Sequence, residues 1–373
     1  MNRVILIGNG FDLAHGLKTS YKDFIDDFWE KEKQKVVTGL VKEYTDGFHY
    51  HYKYEDDFIS VISPCLMSEL HHSVNINGRG YNWFLDLVSS GIKIMLNGVN
   101  VTFHVEFKNI FLKIITENTT LQDWVNIELE YYLALNLCLN EKYPEGIKKL
   151  NQEFSSIQKA LEEYLTLQTT NNIKTIQNVQ EIFNKIVQNI IIDKTLTKFG
   201  HYEILFLNFN YTNTINIYSH LFSGSNIDVK YINIHGELNN IENPIIFGYG
   251  DEIDDNYKHI KDNNDKGYLE NIKSIKYLET RNYMRLLNFI DYEKYEIFVM
   301  GHSCGLSDRT LLNTLFEHEN CMSIKVFYHK ISDSVDNYSD VIRNISRNFT
   351  NRPLMRKRVV NKQNSEPLTL IGS

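Results

Sequence analysis

Short apolar runs open this chain and return only after residue 200, and between them the hydrophobic pattern changes its period. Residues 3–7, "RVILI", end in Gly8 and read as a buried parallel strand feeding a turn. Ser20 and Asp23 form an S-x-x-D capping box that opens a helix, "YKDFIDDFWEKEKQKV". From about residue 31 to 199 the segments "YNWFLDLVSSGIKIML", "LQDWVNIELEYYLALNLCL", "GIKKLNQEFSSIQKALEEYLTL" and "TIQNVQEIFNKIVQNIII" carry helical spacing and predict helices packed on one another. From residue 203 strands return as "EILFLNF", "VKYINI", "NPIIFGY", "YEIFVM" and "SIKVFY". Helical stretches lie between or after several of them, so a parallel sheet with helices on both faces is expected. One βα unit cannot bury its own faces, so the first strand belongs with the late group. The predicted organisation is a split α/β domain (1–30 plus 200–350), a large α-helical insertion (31–199) and a basic C-terminal tail (351–373).

Composition narrows the classes. Hydrophobic residues are 42% and charged residues 23% of 373, which fits a globular chain. A net charge of −8 disfavours coating of nucleic acid. No run approaches the length of a membrane span, and the N-terminus lacks the pattern of a signal peptide. Cys65, Cys138, Cys304 and Cys321 contain no C-x-x-C pair and read as buried thiols in a reducing cytoplasm. No metal site is expected. His71 and His72 are adjacent and diverge on a helix, and the acidic loop "GDEIDDNY" lacks a spaced partner set. The basic cluster Arg352, Arg356, Lys357 and Arg358 reads as a solvated end.

Ligands of open α/β sheets sit at the carboxyl ends of strands. The residues there are Gly8-Asn9-Gly10-Phe11-Asp12, Asn208 to Thr212 with Asn210 and Tyr211, His235-Gly236-Glu237, Gly248 to Asp251, and Gly301-His302-Ser303. A glycine turn lets backbone approach a phosphate. The dinucleotide fingerprint is incomplete, with Leu13 at its third glycine. Asn210 suits fixing a ribose hydroxyl or water, or capping the next helix, and His235 suits a base or a backbone-bonded strand end. Gly301 to Gly305, "GHSCG", also matches the nucleophile elbow of serine hydrolases. After it only His318 and His329 remain as bases. Asp308 reads more simply as a cap of the helix that follows.

Taken together these turns resemble the sirtuin-like NAD-binding fold. Gly8, Gly10, Gly16 and Leu17 fall at its glycine motif, Asn210 at the asparagine of its T-x-N-Y-D motif, His235-Gly236 at its H-G, and Gly301 with Ser303 at its late G-x-S. More closely, "ILIGNGFDLAHGLKTSYKDF", "NFNYT", "IHGEL" and "FGYGD" resemble the AbiH family of bacterial phage abortive-infection proteins, as does "WVNIE" (Trp124 to Glu128) in the insertion. The resemblance implies a Rossmann-like fold and an antiviral effector that binds NAD and cleaves its nicotinamide–ribose bond, with no metal. Asn210 and His235 would be catalytic. Gly8, Asn9, Gly10, Phe11, Asp12, Tyr211, Gly301, His302 and Ser303 would bind NAD. It further implies a phage-derived trigger and a cytoplasmic homo-oligomer. Deacetylation is disfavoured, because "KTSYK" stands where sirtuins carry P-D-F-R and no four-cysteine zinc spacing exists. A non-catalytic sensor of NAD or ADP-ribose and a serine hydrolase remain the alternatives. Glu128 reads as a lid carboxylate or an exposed helix residue.

Overall fold

The computed structural model describes residues 1–39, 41–45, 49–66, 92–96, 99–118, 124–169, 173–196, 202–223, 227–254 and 257–369. Strands are numbered β1 to β11 in chain order. Two compact units are present, Met1–Thr19 with Leu165–Ser373, and Ser20–Tyr164.

The first unit is built on a six-stranded sheet of β1 (Asn2–Ile7), β7 (Glu203–Asn208), β8 (Asp228–Asn233), β9 (Tyr295–Met300), β10 (Cys321–His329) and β11 (Glu366–Thr369). Its order is β11-β10-β9-β1-β7-β8 and every neighbouring pair is parallel. In order of appearance within the sheet the strands run 3-2-1-4-5-6 from the β8 edge. The direction of winding therefore reverses between β1 and β9.

Successive side chains of β1 explain why "RVILI" has no polar break. Val4 and Leu6 join one core with Leu286, Phe289, Leu312 and Ile345 from helices on one face. Ile5 and Ile7 join a second core with Phe183, Ile186 and Tyr218 on the other. A strand covered on both faces needs apolar residues at every position.

Two expectations about this unit change. The segment "NPIIFGY" is not a ladder strand, although Ile245, Ile246 and Phe247 are buried. Gly236 turns the chain at φ +86° and brings Pro244 and Ile245 back against it; the Ile246 amide bonds the His235 carbonyl at 2.7 Å. That local pairing takes the place of a sheet partner. The C-terminal segment is not a loose tail. Arg352–Arg358 is a helix whose buried Arg358 donates to the Phe316 carbonyl at 2.5 Å. After it, β11 completes the sheet edge, held by Glu366 to Lys325 at 2.7 Å and by Asn178 to the Pro367 and Leu368 carbonyls.

The helix Gln177–Leu196 also belongs to this unit. Its Val179, Ile182, Phe183 and Ile186 cover the sheet, which accounts for its apolar stripe.

The second unit is not wholly helical. It contains a five-stranded antiparallel sheet in the order β2-β3-β4-β6-β5, formed by Val41–Thr45, His49–Glu55, Ile59–Leu66, Val99–Phe107 and Ile92–Leu96. The sign was present in "HYHYKYE" and "VNVTFHVEF", whose apolar residues recur every second position, the period of a strand. Of "YNWFLDLVSSGIKIML", the last five residues are β5 and the rest lies outside the described residues, as do His71 and His72. The helices that do form are well specified. Ser20 and Asp23 make the reciprocal capping box, with Asp23 N to Ser20 Oγ at 3.1 Å and Ser20 N to Asp23 Oδ2 at 3.3 Å. Glu153 is buried and accepts the Ile110 and Phe111 amides, closing the start of helix Ile110–Glu117. Glu128, on helix Trp124–Leu139, is buried at 4% exposure rather than solvated.

One close joint of the α/β unit is between two turns. Gly10 N donates to Gly301 O at 2.8 Å, and a Cβ on Gly301 would lie 2.1 Å from Phe11 N. Gly301 also has φ +73°. Gly301→Ala is expected to cost about 2–4 kcal/mol in urea unfolding. Gly16→Ala shares the positive φ (+78°) but meets nothing within 4 Å, so about 1 kcal/mol is expected. Equal losses would contradict the close-contact explanation.

Candidate functional site

The chain leaves β1, β7, β8 and β9 at the same edge of the sheet, so residues distant in sequence converge there. Two buried polar clusters result.

The first surrounds Asp12, on the short helix Asn9–Ala14 that follows Gly8. Asp12 is 1% exposed. Its Oδ2 accepts from Thr212 Oγ1 at 2.5 Å, and its Oδ1 is enclosed without a partner. Burial pushes its carboxyl up to about 6, against the opposing pull of Thr212, Thr214 and Asn210. Asn210 is buried beside it, with Nδ2 donating to Gly8 O at 3.1 Å and its own amide bonded to Asn208 Oδ1. The β1 and β7 ends are thus joined through side chains as well as through the ladder.

The second cluster centres on Asp308. Its Oδ1 lies 2.8 Å from Lys273 Nζ and 3.1 Å from His235 Nε2, and its Oδ2 lies 3.6 Å from His302 Nε2. All four side chains are buried, Lys273 to 1% exposure. Burial alone would raise the Asp308 carboxyl, but the Lys273 ammonium, then His235 and His302, hold it well below the usual carboxylate range. Burial pushes the His235 imidazole below its ordinary value, and Lys273 adds to the effect.

Backbone contacts set the tautomers. His302 Nδ1 accepts the Cys304 amide at 2.9 Å, so its proton sits on Nε2 and points at Asp308. His235 Nδ1 lies 3.1 Å from the Phe209 carbonyl, which only accepts, so that nitrogen carries the proton. His235 Nε2 stands between Asp308 Oδ1 and Tyr277 Oη, 3.1 Å from each. Both ring nitrogens of His235 therefore have partners within the protein.

The remaining expected residues divide. Gly8, Gly10 and Gly301 meet backbone to backbone, and a Cβ on Gly8 would stand 2.5 Å from His302 Cα. Phe11 is core, edge-on to Tyr218. Asn9 accepts from Thr19 Oγ1 at 2.6 Å, and Tyr211 donates to the Ile246 carbonyl at 3.1 Å. His302 is part of the Asp308 cluster and not simply local packing. Ser303 is exposed, and its carbonyl accepts from Asn344 Nδ2 at 2.9 Å. The positive φ of this turn falls on Gly301 and on Cys304 (+54°), not on the serine.

A serine triad is absent among the described residues. His318 is held 3.0 Å from Asp291, and Asp308 serves Lys273 and the two histidines. Asp308 stands at the cap position of helix Arg309–Glu317 but makes no side-chain cap bond, because its carboxylate faces the cluster. Among the described residues no helix is long and apolar enough to cross a membrane, and no group of three metal-type ligands occurs. Cys138, Cys304 and Cys321 are free and buried.

Sequence reasoning missed Lys273 and Tyr277 and misread Asp308. No motif marks them, since one lysine among the many of this chain carries no sign of burial.

Removing the anion should leave Lys273 charged and enclosed. Asp308→Asn is expected to destabilise by about 3–5 kcal/mol in chemical unfolding, and Asp308→Asn with Lys273→Met should recover much of the loss. Additive losses would contradict the pairing. The Asp308 contribution is present above its unfolded pKa and is lost as pH falls through its depressed folded value. The lowered His235 value weakens the fold as pH drops below its ordinary range, because the unfolded chain then takes the proton more readily.

Comparison with known proteins bears out the AbiH resemblance. No curated protein and no solved structure matches the chain. The family model described as Bacteriophage abortive infection AbiH matches residues 4–330, which takes in the α/β strands through β10 and the second unit. The chain belongs to the AbiH family of bacteriophage abortive-infection proteins.

Proposed function

We propose that this chain is a cytoplasmic abortive-infection effector that binds NAD at the carboxyl ends of β1, β7, β8 and β9 and hydrolyses its nicotinamide–ribose bond. The observation that carries the reading is the convergence of buried Asp12, Asn210, His235, His302 and Asp308 beside the reversal of strand order. The order 3-2-1-4-5-6 is that of doubly wound dinucleotide-binding sheets, where the crevice beside the reversal takes the cofactor. Family membership supports the phage context, and the sirtuin-like motifs support NAD as the ligand.

In this mechanism the N-glycosidic bond breaks with its electron pair leaving on nicotinamide. Water then adds to C1′ of the ribose, losing one proton, and ADP-ribose is the product. Asn210 Oδ1 positions the water. His235 Nε2 takes the proton when Tyr277 Oη yields its place, and Asp308 stabilises the resulting imidazolium. A buried carboxylate beside the imidazole makes that transfer less costly than burial alone allows. Ser303 and Tyr211 contact ribose or phosphate at the rim, and Asn9 with the glycine turns lies along the pyrophosphate. A phage-derived trigger and self-association would control the enzyme.

The occupied ring of His235 favours a second reading, in which the same site holds NAD or ADP-ribose without cleaving it and signals through a partner. Purified protein incubated with NAD, alone and with phage lysate, separates the two. Hydrolysis is expected to release nicotinamide, and His235→Ala and Asn210→Ala should each lower turnover by roughly a hundredfold or more. Recovery of intact bound NAD would favour the sensor. Undiminished turnover in both variants would contradict the proposed roles.

A further inference from the structure

Asn208 is the last residue of β7 and is 2% exposed. A strand covered on both faces takes apolar side chains, so a buried amide here calls for a reason. Its polar groups are all engaged. Oδ1 accepts the Asn210 amide at 3.1 Å, which closes an Asx turn over Phe209. Nδ2 donates to the Thr212 carbonyl at 2.8 Å and to Asn233 Oδ1 at 3.0 Å. These partners also fix which way the amide points. The Asn210 N–H only donates and the Thr212 carbonyl only accepts, so oxygen faces the first and nitrogen the second.

The turn that Asn208 closes touches both residues of the proposed chemistry. Asn210 stands at its end, with Nδ2 on the Gly8 carbonyl at 3.1 Å. Phe209 stands at its centre, and the Phe209 carbonyl is 3.1 Å from His235 Nδ1. The Ile234 amide, one residue before His235, donates to the Asn208 carbonyl at 2.9 Å. One enclosed side chain thus ties the β7 turn to itself and, through Asn233, to the β8 end that carries His235. A hydroxyl in its place could not donate twice, and an ionised carboxylate could not donate at all.

We infer that Asn208 is a positioning residue for both: by closing the turn it aims the Asn210 side chain and fixes the Phe209 carbonyl that holds His235 Nδ1. The inference rests on the proposed reading for its effect on turnover but not for its effect on His235.

The test uses the full chain with ¹⁵N-labelled histidine, the His235 ring signals being assigned by their loss in His235→Ala. In the wild type Nδ1 is expected to be protonated. In Asn208→Ala the Phe209 carbonyl is no longer held, and the Nδ1 signal should move toward that of a mixed tautomer. Asn208→Ser keeps a weaker acceptor for the turn and should lie between the two. NAD turnover per folded protein should follow the same order, with kcat roughly tenfold to a hundredfold lower in Asn208→Ala and KM little changed. A purely structural role would lower the unfolding midpoint of both variants and leave the kcat of the folded protein alone. If Asn208→Ala does not fold, Asn208→Ser is compared with the wild type by the same two readouts. The inference is overturned if the His235 signals are unmoved in the folded variants, or if their kcat is unmoved while the wild type cleaves NAD. If the signals move as expected and the wild type leaves NAD untouched, the hydrolase reading fails and the positioning by Asn208 stands.

Discussion

One buried carboxylate holds the candidate site together. Asp308 joins Lys273, His235 and His302, which come from three different stretches of the α/β unit. Without the anion, an enclosed ammonium would have no compensation, and the two imidazoles would lose their common partner. The pair is neutral in sum, so the cluster places two oriented histidines at the strand ends while adding little net charge. Lys273 lies in the long connection between β8 and β9, and its amide bonds the Tyr249 carbonyl at 2.9 Å. The same contact that fixes the histidines therefore pins that connection.

The glycine turns solve a different problem. The β1 and β9 ends must pass each other closely where the winding reverses, and side chains at 8, 10 and 301 would not fit. Packing alone is enough to require those glycines. The chemical weight of the site shifts accordingly to Asp12, Asn210 and the Asp308 cluster, which are side chains whose burial packing does not explain. Asp12 raised to about 6 and Asp308 held low are opposite outcomes of the same desolvation, decided by whether a cation stands beside the carboxylate.

Much of the α/β unit was legible because its strands are covered on both faces, and the centres of three of them, "VILI", "ILFL" and "IFVM", are unbroken apolar runs. Strand-end Asn210 and His235 followed from that. The second unit was less legible. The two-residue alternation of "HYHYKYE" is a strand signal, but it is short and lies among segments that carry helical stripes. β11 was hidden because "EPLT" is short and contains proline, tolerable only at a sheet edge. Asp308 was read as a cap from its place before a helix, and only the fold reveals that its carboxylate turns to Lys273, 35 residues earlier.

The most direct test is a crystal structure of the full chain with a non-hydrolysable NAD analogue. The account predicts the ligand at the carboxyl ends of β1, β7, β8 and β9, with a ribose hydroxyl or ordered water on Asn210 Oδ1 and the nicotinamide ribose near His235. Density for the analogue elsewhere on the chain, or none under saturating conditions, would contradict it.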